Sequence, residues 1–97
     1  GFVVDGSANL ISTNGAEGNA GAGFQINGVS NQVENNSSAQ NTGIGYLISG
    51  SNNICNTNSA EDNLDSEWLI AANNEDDSGN EANGQSITFT AAGGIFE

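Results

Sequence analysis

Apolar side chains recur along this chain at a fixed distance of 22 residues. The block Gly1-Phe2-Val3-Val4-Asp5-Gly6 returns as Gly23-Phe24-Gln25-Ile26-Asn27-Gly28 and as Gly45-Tyr46-Leu47-Ile48-Ser49-Gly50. A constant period of this length, with one supersecondary unit in each period, is typical of a solenoid. The pattern therefore predicts one domain over residues 1–97, built from coils 1–22, 23–44 and 45–66, a degenerate fourth coil 67–84 and a C-terminal strand or cap 85–97.

Two columns of the repeat are expected to point into the interior together, because alternate residues of a strand face the same way. The first column is aromatic and the second is β-branched: Phe2, Phe24, Tyr46 and Trp68, then Val4, Ile26, Ile48 and Ile70. A third apolar column contains Ile11, Val33 and Cys55, and a fourth holds small side chains, Ala16, Ser38, Ala60 and Ala82. Its place in an apolar column predicts that Cys55 is a small buried hydrophobic residue rather than a nucleophile or a metal ligand.

Asparagine fills three further columns, which are expected to mark the corners of each coil. They are Asn9, Asn31 and Asn53, then Asn14, Asn36, Asn58 and Asn80, then Asn19, Asn41 and Asn63. Asparagine tolerates the left-handed backbone of a tight turn, and stacked amides can bond from coil to coil in a ladder. Because these residues recur in every coil, we interpret them as structural and not catalytic. The glycine columns at Gly1 and Gly6 are expected to supply the remaining bends.

The repeat thus predicts an all-β fold, a parallel β-helix of about four coils in which each coil contributes two or three short strands. In the fourth coil, Leu64, Trp68 and Ala71 also fall at helical spacing, so a short helix competes with a strand there. The register of Trp68 and Ile70 favours the strand. The tail 86–90 alternates like a strand, Ala91-Ala92-Gly93-Gly94 should turn the chain, and Ile95-Phe96 can then return to the stack.

The composition restricts the possible partners. The chain has no Lys, Arg or His and carries 12 acidic residues, which gives a net charge of −12. Binding to nucleic acid or to an anionic membrane surface needs cationic side chains, so both are excluded as ordinary partners. No apolar run approaches the roughly 20 residues of a membrane span. Divalent cations, neutral glycans and further copies of the chain remain as partners, and no cofactor is expected.

Acidic residues concentrate between positions 61 and 81, where eight of the 12 lie. We interpret this cluster chiefly as a solvated edge that repels other sheets. A weak Ca²⁺ site is the alternative, because Ca²⁺ prefers clustered oxygen ligands. Its candidate ligands are Asp62, Asp65, Asp76 and Asp77.

The cadence of glycine, aromatic, apolar, asparagine and alanine positions resembles the right-handed parallel β-helix repeats of the pectate-lyase-like superfamily, including the NosD-like group. The resemblance is good over residues 1–66 and looser over 67–84. It implies a fold more than an activity. Lyases of the superfamily typically use basic residues with Ca²⁺, and this chain has no basic side chain. Asp76 and Asp77 are neighbours that should face opposite sides of a strand, which makes them a poor hydrolytic pair. We therefore expect no enzymatic activity.

The ends of a solenoid are strand edges that invite another chain to pair. Because Gly1-Phe2-Val3-Val4 already matches the first strand, the N-terminal coil is expected to be uncapped. The last coil is likewise expected to present a bare edge to another copy. The chain would then be a processed segment of a longer solenoid, or it would stack head to tail on the C-terminal coil of another copy and form a filament. We predict the filament, as a structural subunit of an extracellular or cell-surface assembly.

Two alternative functions are kept. A fragment of a glycan-binding or glycan-processing surface protein would need aromatic side chains in an exposed groove, whereas Phe2, Phe24 and Tyr46 are predicted to be buried. An ice-binding solenoid would need a regular threonine array, and only Thr13 and Thr57 share a column.

Overall fold

The computed structural model describes residues 1–97 as a β-solenoid of about four coils, with no helix. Each of the first three coils contributes three strands of three residues. The strands are β1 Phe2–Val4, β2 Leu10–Ser12, β3 Gly15–Glu17, β4 Phe24–Ile26, β5 Gln32–Glu34, β6 Ser37–Ala39, β7 Tyr46–Ile48, β8 Ile54–Asn56, β9 Ser59–Glu61, β10 Trp68–Ile70, β11 Glu75–Asp76, β12 Glu81–Ala82, β13 Gln85–Ser86 and β14 Gly94–Phe96.

These strands stack into three sheets that form the walls of the solenoid. Sheet A has the order β1-β4-β7-β10-β14, sheet B has β11-β8-β5-β2, and sheet C has β13-β12-β9-β6-β3. Successive coils pair in parallel, and Phe2, Phe24, Tyr46 and Trp68 lie opposite one another in register. The 22-residue spacing predicted from the sequence is therefore the spacing of the coils, and the competing helix around Trp68 is wrong because β10 forms there.

The interior contains the columns that the repeat predicted. Phe24, Tyr46 and Trp68 are fully buried, and adjacent rings of the aromatic column stack with centroids 5.0, 5.0 and 4.1 Å apart. The polar tips are satisfied, because the Tyr46 hydroxyl donates to the carbonyl of Ser59 and the Trp68 indole N–H donates to that of Glu81. Phe2 was expected to be buried but is 39% exposed, because no rung lies over it.

The left-handed corners lie one residue before the asparagine columns. Thr13, Asn35 and Thr57, each directly before a ladder asparagine, have φ of 59°, 56° and 54°. None of the predicted ladder asparagines has positive φ, so the left-handed role assigned to them was wrong. Strain at a β-branched residue such as Thr13 is tolerated because the corner repeats in every coil and its N–H bonds to the next coil, as Thr13 does to the carbonyl of Glu34.

The two glycine columns are explained by the close approach of successive coils and not by a positive φ angle. A Cβ on Gly28 would collide with the carbonyl oxygen of Gly6, and one on Gly50 would collide with that of Gly28. Only glycine therefore lets the coils stack at strand spacing at this corner.

The fourth coil is one residue short and then recovers its register. Asp76 pairs with Cys55 at a distance of 21 residues, whereas Ala82 pairs with Ala60 at 22. Ser78 and Gly79, with φ of 81° and 75°, lie between these two pairs and provide the bulge that restores the register. As a consequence Asp76 occupies the column that Ile11, Val33 and Cys55 occupy in the earlier coils.

Candidate functional site

The asparagine columns form hydrogen-bonded ladders, as the sequence predicted, and the structure adds that these ladders have a fixed direction. The N–H of Asn14 donates to the Oδ1 of Asn36 at 2.9 Å, and the N–H of Asn36 donates to the Oδ1 of Asn58 at 3.1 Å. The Nδ2 of Asn36 also points backwards and donates to the carbonyl of Ile11 at 2.9 Å. Each coil thus offers main-chain donors towards the C-terminal end and amide acceptors towards the N-terminal end.

The N-terminal rung presents free acceptors. The Oδ1 atoms of Asn9 and Asn14 accept no hydrogen bond, whereas every later member of their columns accepts one from the coil before it. β1, β2 and β3 each have a strand on one side only. Together with Phe2, which is 39% exposed, they form an end surface that matches the ladder and the core of a further coil.

The C-terminal end is covered, contrary to the expectation that a bare coil there would receive another copy. β14 lies antiparallel on β10, and β13 lies antiparallel on β12. Between them, Phe89 packs on Trp68 with ring centroids 6.4 Å apart, so the tail also covers the aromatic column. The sequence correctly predicted the turn and the return of Ile95-Phe96, but strand structure in the segment 86–90 is limited to Ser86 and an isolated bridge from Thr90 to Gly93.

Asp76 fastens this tail to the last coil. Its carboxylate accepts hydrogen bonds from the N–H of Phe89 at 3.2 Å, the N–H of Ser78 at 3.1 Å and the Nδ2 of Asn80 at 2.8 Å. Because the register shift turns this carboxylate inwards above Cys55, it meets a main-chain donor of the tail. Asp76 therefore attaches the tail to the last coil through hydrogen bonds within the chain, and its role as a weak Ca²⁺ ligand stays a prediction.

Glu67 ends the third ladder. The residue is 3% exposed, and its carboxylate accepts from the Nδ2 of Asn63 at 2.6 Å, from the N–H of Asn63 at 3.1 Å and from the Nδ2 of Asn83 at 3.1 Å. A carboxylate accepts hydrogen bonds but donates none when ionised, so it terminates a ladder that an asparagine would continue. Sequence reasoning missed this role, because Glu67 lies 22 residues after Gly45, in the glycine column of the repeat and not in an asparagine column.

The ladders that begin at Asn9 and Asn14 end on main-chain N–H groups that have no acceptor. Asn74 continues the column of Asn53, at a spacing of 21 residues, and accepts from the Asn53 N–H at 3.0 Å. Asn80 does the same for Asn58 at 3.1 Å. The N–H groups of Asn74 and Asn80 themselves make no hydrogen bond, and both residues are buried beneath the tail.

The thiol of Cys55 and the hydroxyl of Tyr46 are buried in the core, where burial disfavours their ionised forms. Burial, and secondarily the charge of Asp76, raises the pKa of Cys55 to about 12, and burial likewise raises the pKa of Tyr46. No three His, Cys, Asp or Glu side chains lie together in a group that can hold a metal ion, and the structure does not gather Asp62, Asp65 and Asp77 around Asp76. A groove of about 560 Å³ lies beside β11, with Ile54, Asp76 and Phe89 in its lining.

Comparison with known proteins adds no relative. No protein-family model matches the chain, and neither a curated protein nor a solved structure matches it. No helix of the structure is suited to crossing a membrane.

Proposed function

We infer that the protein is a structural subunit of an extracellular filament or surface assembly that grows by stacking solenoid coils head to tail. The observation that carries this proposal is the complementarity of the two ends. Free Oδ1 atoms of Asn9 and Asn14 stand at one end, and N–H groups of Asn74 and Asn80 without an acceptor stand in the same two columns at the other end. Stacking two copies in register would continue both ladders.

The joint requires the tail to leave the last coil. β14 and β13 occupy the positions on sheets A and C that β1 and β3 of a second copy would take. We propose that the tail strands pair with the edge strands of the last coil in a single molecule, and that the first coil of another copy displaces them during assembly. The incoming Phe2 would then replace Phe89 on Trp68.

Charge sets the conditions for growth. Six of the 12 acidic residues lie in positions 67–97 and two lie in 1–22, so the joint brings a strongly acidic end against a weakly acidic one. No cationic side chain offsets this charge, and assembly is expected to require salt or divalent cations, which screen it. Divalent cations would then act as counterions between copies.

Asn9 offers a clean test, because its side chain makes no hydrogen bond within one molecule. Asn9→Ala should leave the thermal unfolding of the single molecule unchanged and should slow fibre formation, followed by light scattering and electron microscopy. Asn9→Asp keeps an acceptor oxygen and should assemble once salt screens the added charge. Fibre formation by Asn9→Ala at the rate of the unsubstituted chain would contradict the proposed joint.

A second test introduces a charged side chain into the partly buried surface of the first coil. Val4→Asp places a charge in the first coil, where Val4 packs against the core of the second. We expect assembly to fail at a concentration where circular dichroism still reports folded later coils.

Two further assignments, the fold family and the absence of catalysis, rest on the sequence. We propose that the solenoid is right-handed and related to the pectate-lyase-like superfamily, as its repeat cadence suggests. We propose a role without catalysis, supported by the absence of Lys, Arg and His. Glycan binding remains the alternative, but it is less supported because Phe24, Tyr46 and Trp68 are fully buried and Phe89 is 5% exposed, which leaves little aromatic platform.

A further inference from the structure

Sheet A has a continuous outward column that is largely apolar. Val3, Gln25, Leu47, Leu69 and Ile95 are successive partners across its five strands. Val3 is 61% exposed, Ile95 is 62% exposed, and Leu47 and Leu69 are half-buried. The column lies on the side of the solenoid, and its middle residues Gln25, Leu47 and Leu69 are on strands away from the end-to-end joint.

Sheet A is also the wall whose strands carry no acidic residue. Strands of sheet B contain Glu34, Glu75 and Asp76, and strands of sheet C contain Glu17, Glu61 and Glu81. The carboxylates nearest to sheet A in sequence are Asp5, Glu67 and Glu97. Asp5 accepts a hydrogen bond from Asn27, Glu67 precedes β10 and is buried, and Glu97 follows β14. For a chain of net charge −12 without cations, an uncharged apolar wall is the side on which a second copy meets the least repulsion.

We propose that sheet A is a lateral docking surface for a second copy of this chain, packed face to face about a two-fold axis near Leu47. Leu47 would meet Leu47 of the second copy, and in single molecules Val3 would lie towards its Ile95. In a stacked thread, Val3 of the next copy would take the place of Ile95 in the column. Two sheets that pack in this way stand about 10 Å apart, with side chains of both filling the gap. The contact is one side chain wide, well below the roughly 800 Å² per partner of a standard interface, so association is weak and suited to holding threads side by side.

A cysteine introduced at position 47 tests this contact directly. Head-to-tail stacking alone separates equivalent residues by about 20 Å along the axis, from four coils at strand spacing. A bifunctional thiol cross-linker with a reach of about 10 Å, the spacing of two packed sheets, therefore reports lateral pairing only. The native Cys55 is buried and stays out of the reaction. Treated with this cross-linker, Leu47→Cys should give a covalent dimer on a denaturing gel, in a yield that rises with protein concentration and with salt.

Matched variants distinguish specific pairing through sheet A from non-specific association of the protein. Leu69→Gln in the Leu47→Cys background should lower the dimer yield several-fold, and the fold should tolerate it because Gln25 already occupies the same column. Ile54→Gln makes the same change on sheet B, where Gln32 is the natural neighbour, and should leave the yield unchanged. Gln32→Cys should remain monomeric. Equal cross-linking of Gln32→Cys, or a yield that Leu69→Gln does not lower, would overturn the proposal.

Discussion

The carboxylate of Asp76 accepts a hydrogen bond from the main-chain N–H of Phe89 at 3.2 Å, and this contact ties the C-terminal tail to the last coil. Asp76→Asn replaces one acceptor oxygen with a donor group and should weaken the attachment by about 1–3 kcal/mol. Hydrogen exchange is expected to speed up in residues 85–97 while the amides of β4 and β7 keep their protection.

Asp77→Asn is the control for that change, because Asp77 is exposed and makes no hydrogen bond through its side chain. It removes the same charge from the adjacent position and should leave the exchange of the tail as it is. Equal exchange in both variants would show that Asp76 does not hold the tail.

A pair of glycines separates backbone conformation from crowding. Gly18 has a φ of 69°, Gly21 has no positive φ, and a Cβ at either would meet no atom within 4 Å. Gly18→Ala should lower the free energy of unfolding by about 1 kcal/mol, because an L-residue is strained in the left-handed region. Gly21→Ala should be neutral or stabilising by up to about 1 kcal/mol, because it restricts the unfolded chain. Chemical denaturation of both variants measures the difference, and equal effects would contradict the role assigned to the corner.

The ladders depend on the amide donor as well as on the amide oxygen. The Nδ2 of Asn58 donates to the carbonyl of Val33 at 2.7 Å and to the Oδ1 of Asn80 at 3.0 Å. Asn58→Asp would set a buried carboxylate oxygen against those two acceptors, and we expect a loss of at least about 3 kcal/mol in unfolding free energy. Asn52→Asp, at an exposed corner, should change stability by less than about 0.5 kcal/mol.

Stability should fall in alkaline solution. The pKa of Cys55 is raised from 9.0 to about 12 by burial, so between these values the unfolded thiol ionises while the folded one stays protonated. The folded state then holds more protons, and the free energy of unfolding drops by about 1.4 kcal/mol per pH unit as the pH rises through this window. Cys55→Val, chosen because Val33 fills the same column one coil earlier, should remove this slope and leave the contribution of Tyr46, whose pKa is also raised. A slope that persists unchanged in Cys55→Val below about pH 10, the ordinary pKa of a tyrosine, would contradict this account.

The periodic part of the fold was predictable because each wall position is filled by a column of one residue type. Phe24 and Tyr46 occupy equivalent environments in successive coils, and so do Asn36 and Asn58. Three repeats were therefore enough to assign the core, the ladders and the strands. The covering of the last coil was harder to predict, because the tail has no repeat to be compared with.

The departures from the repeat lie where one residue type takes the place of another. Asp76 appears out of place until the missing residue of the fourth coil is recognised, and the only signal for it is Asn74, which stands 21 residues after Asn53. Glu67 ends a ladder with carboxylate oxygens in place of an amide oxygen. The corner conformation was assigned one residue too late, because Ala8, Ser30 and Gln40 are not residue types that announce positive φ.

The most direct test of the account is the shape of the particle seen by electron microscopy of the 97-residue chain in salt or divalent cations. Head-to-tail stacking predicts threads with an axial rise of about 20 Å per molecule and strand spacing of about 4.8 Å along the thread. A uniform population of single particles no longer than the 27 Å of the monomer, at every salt and protein concentration tried, would contradict it.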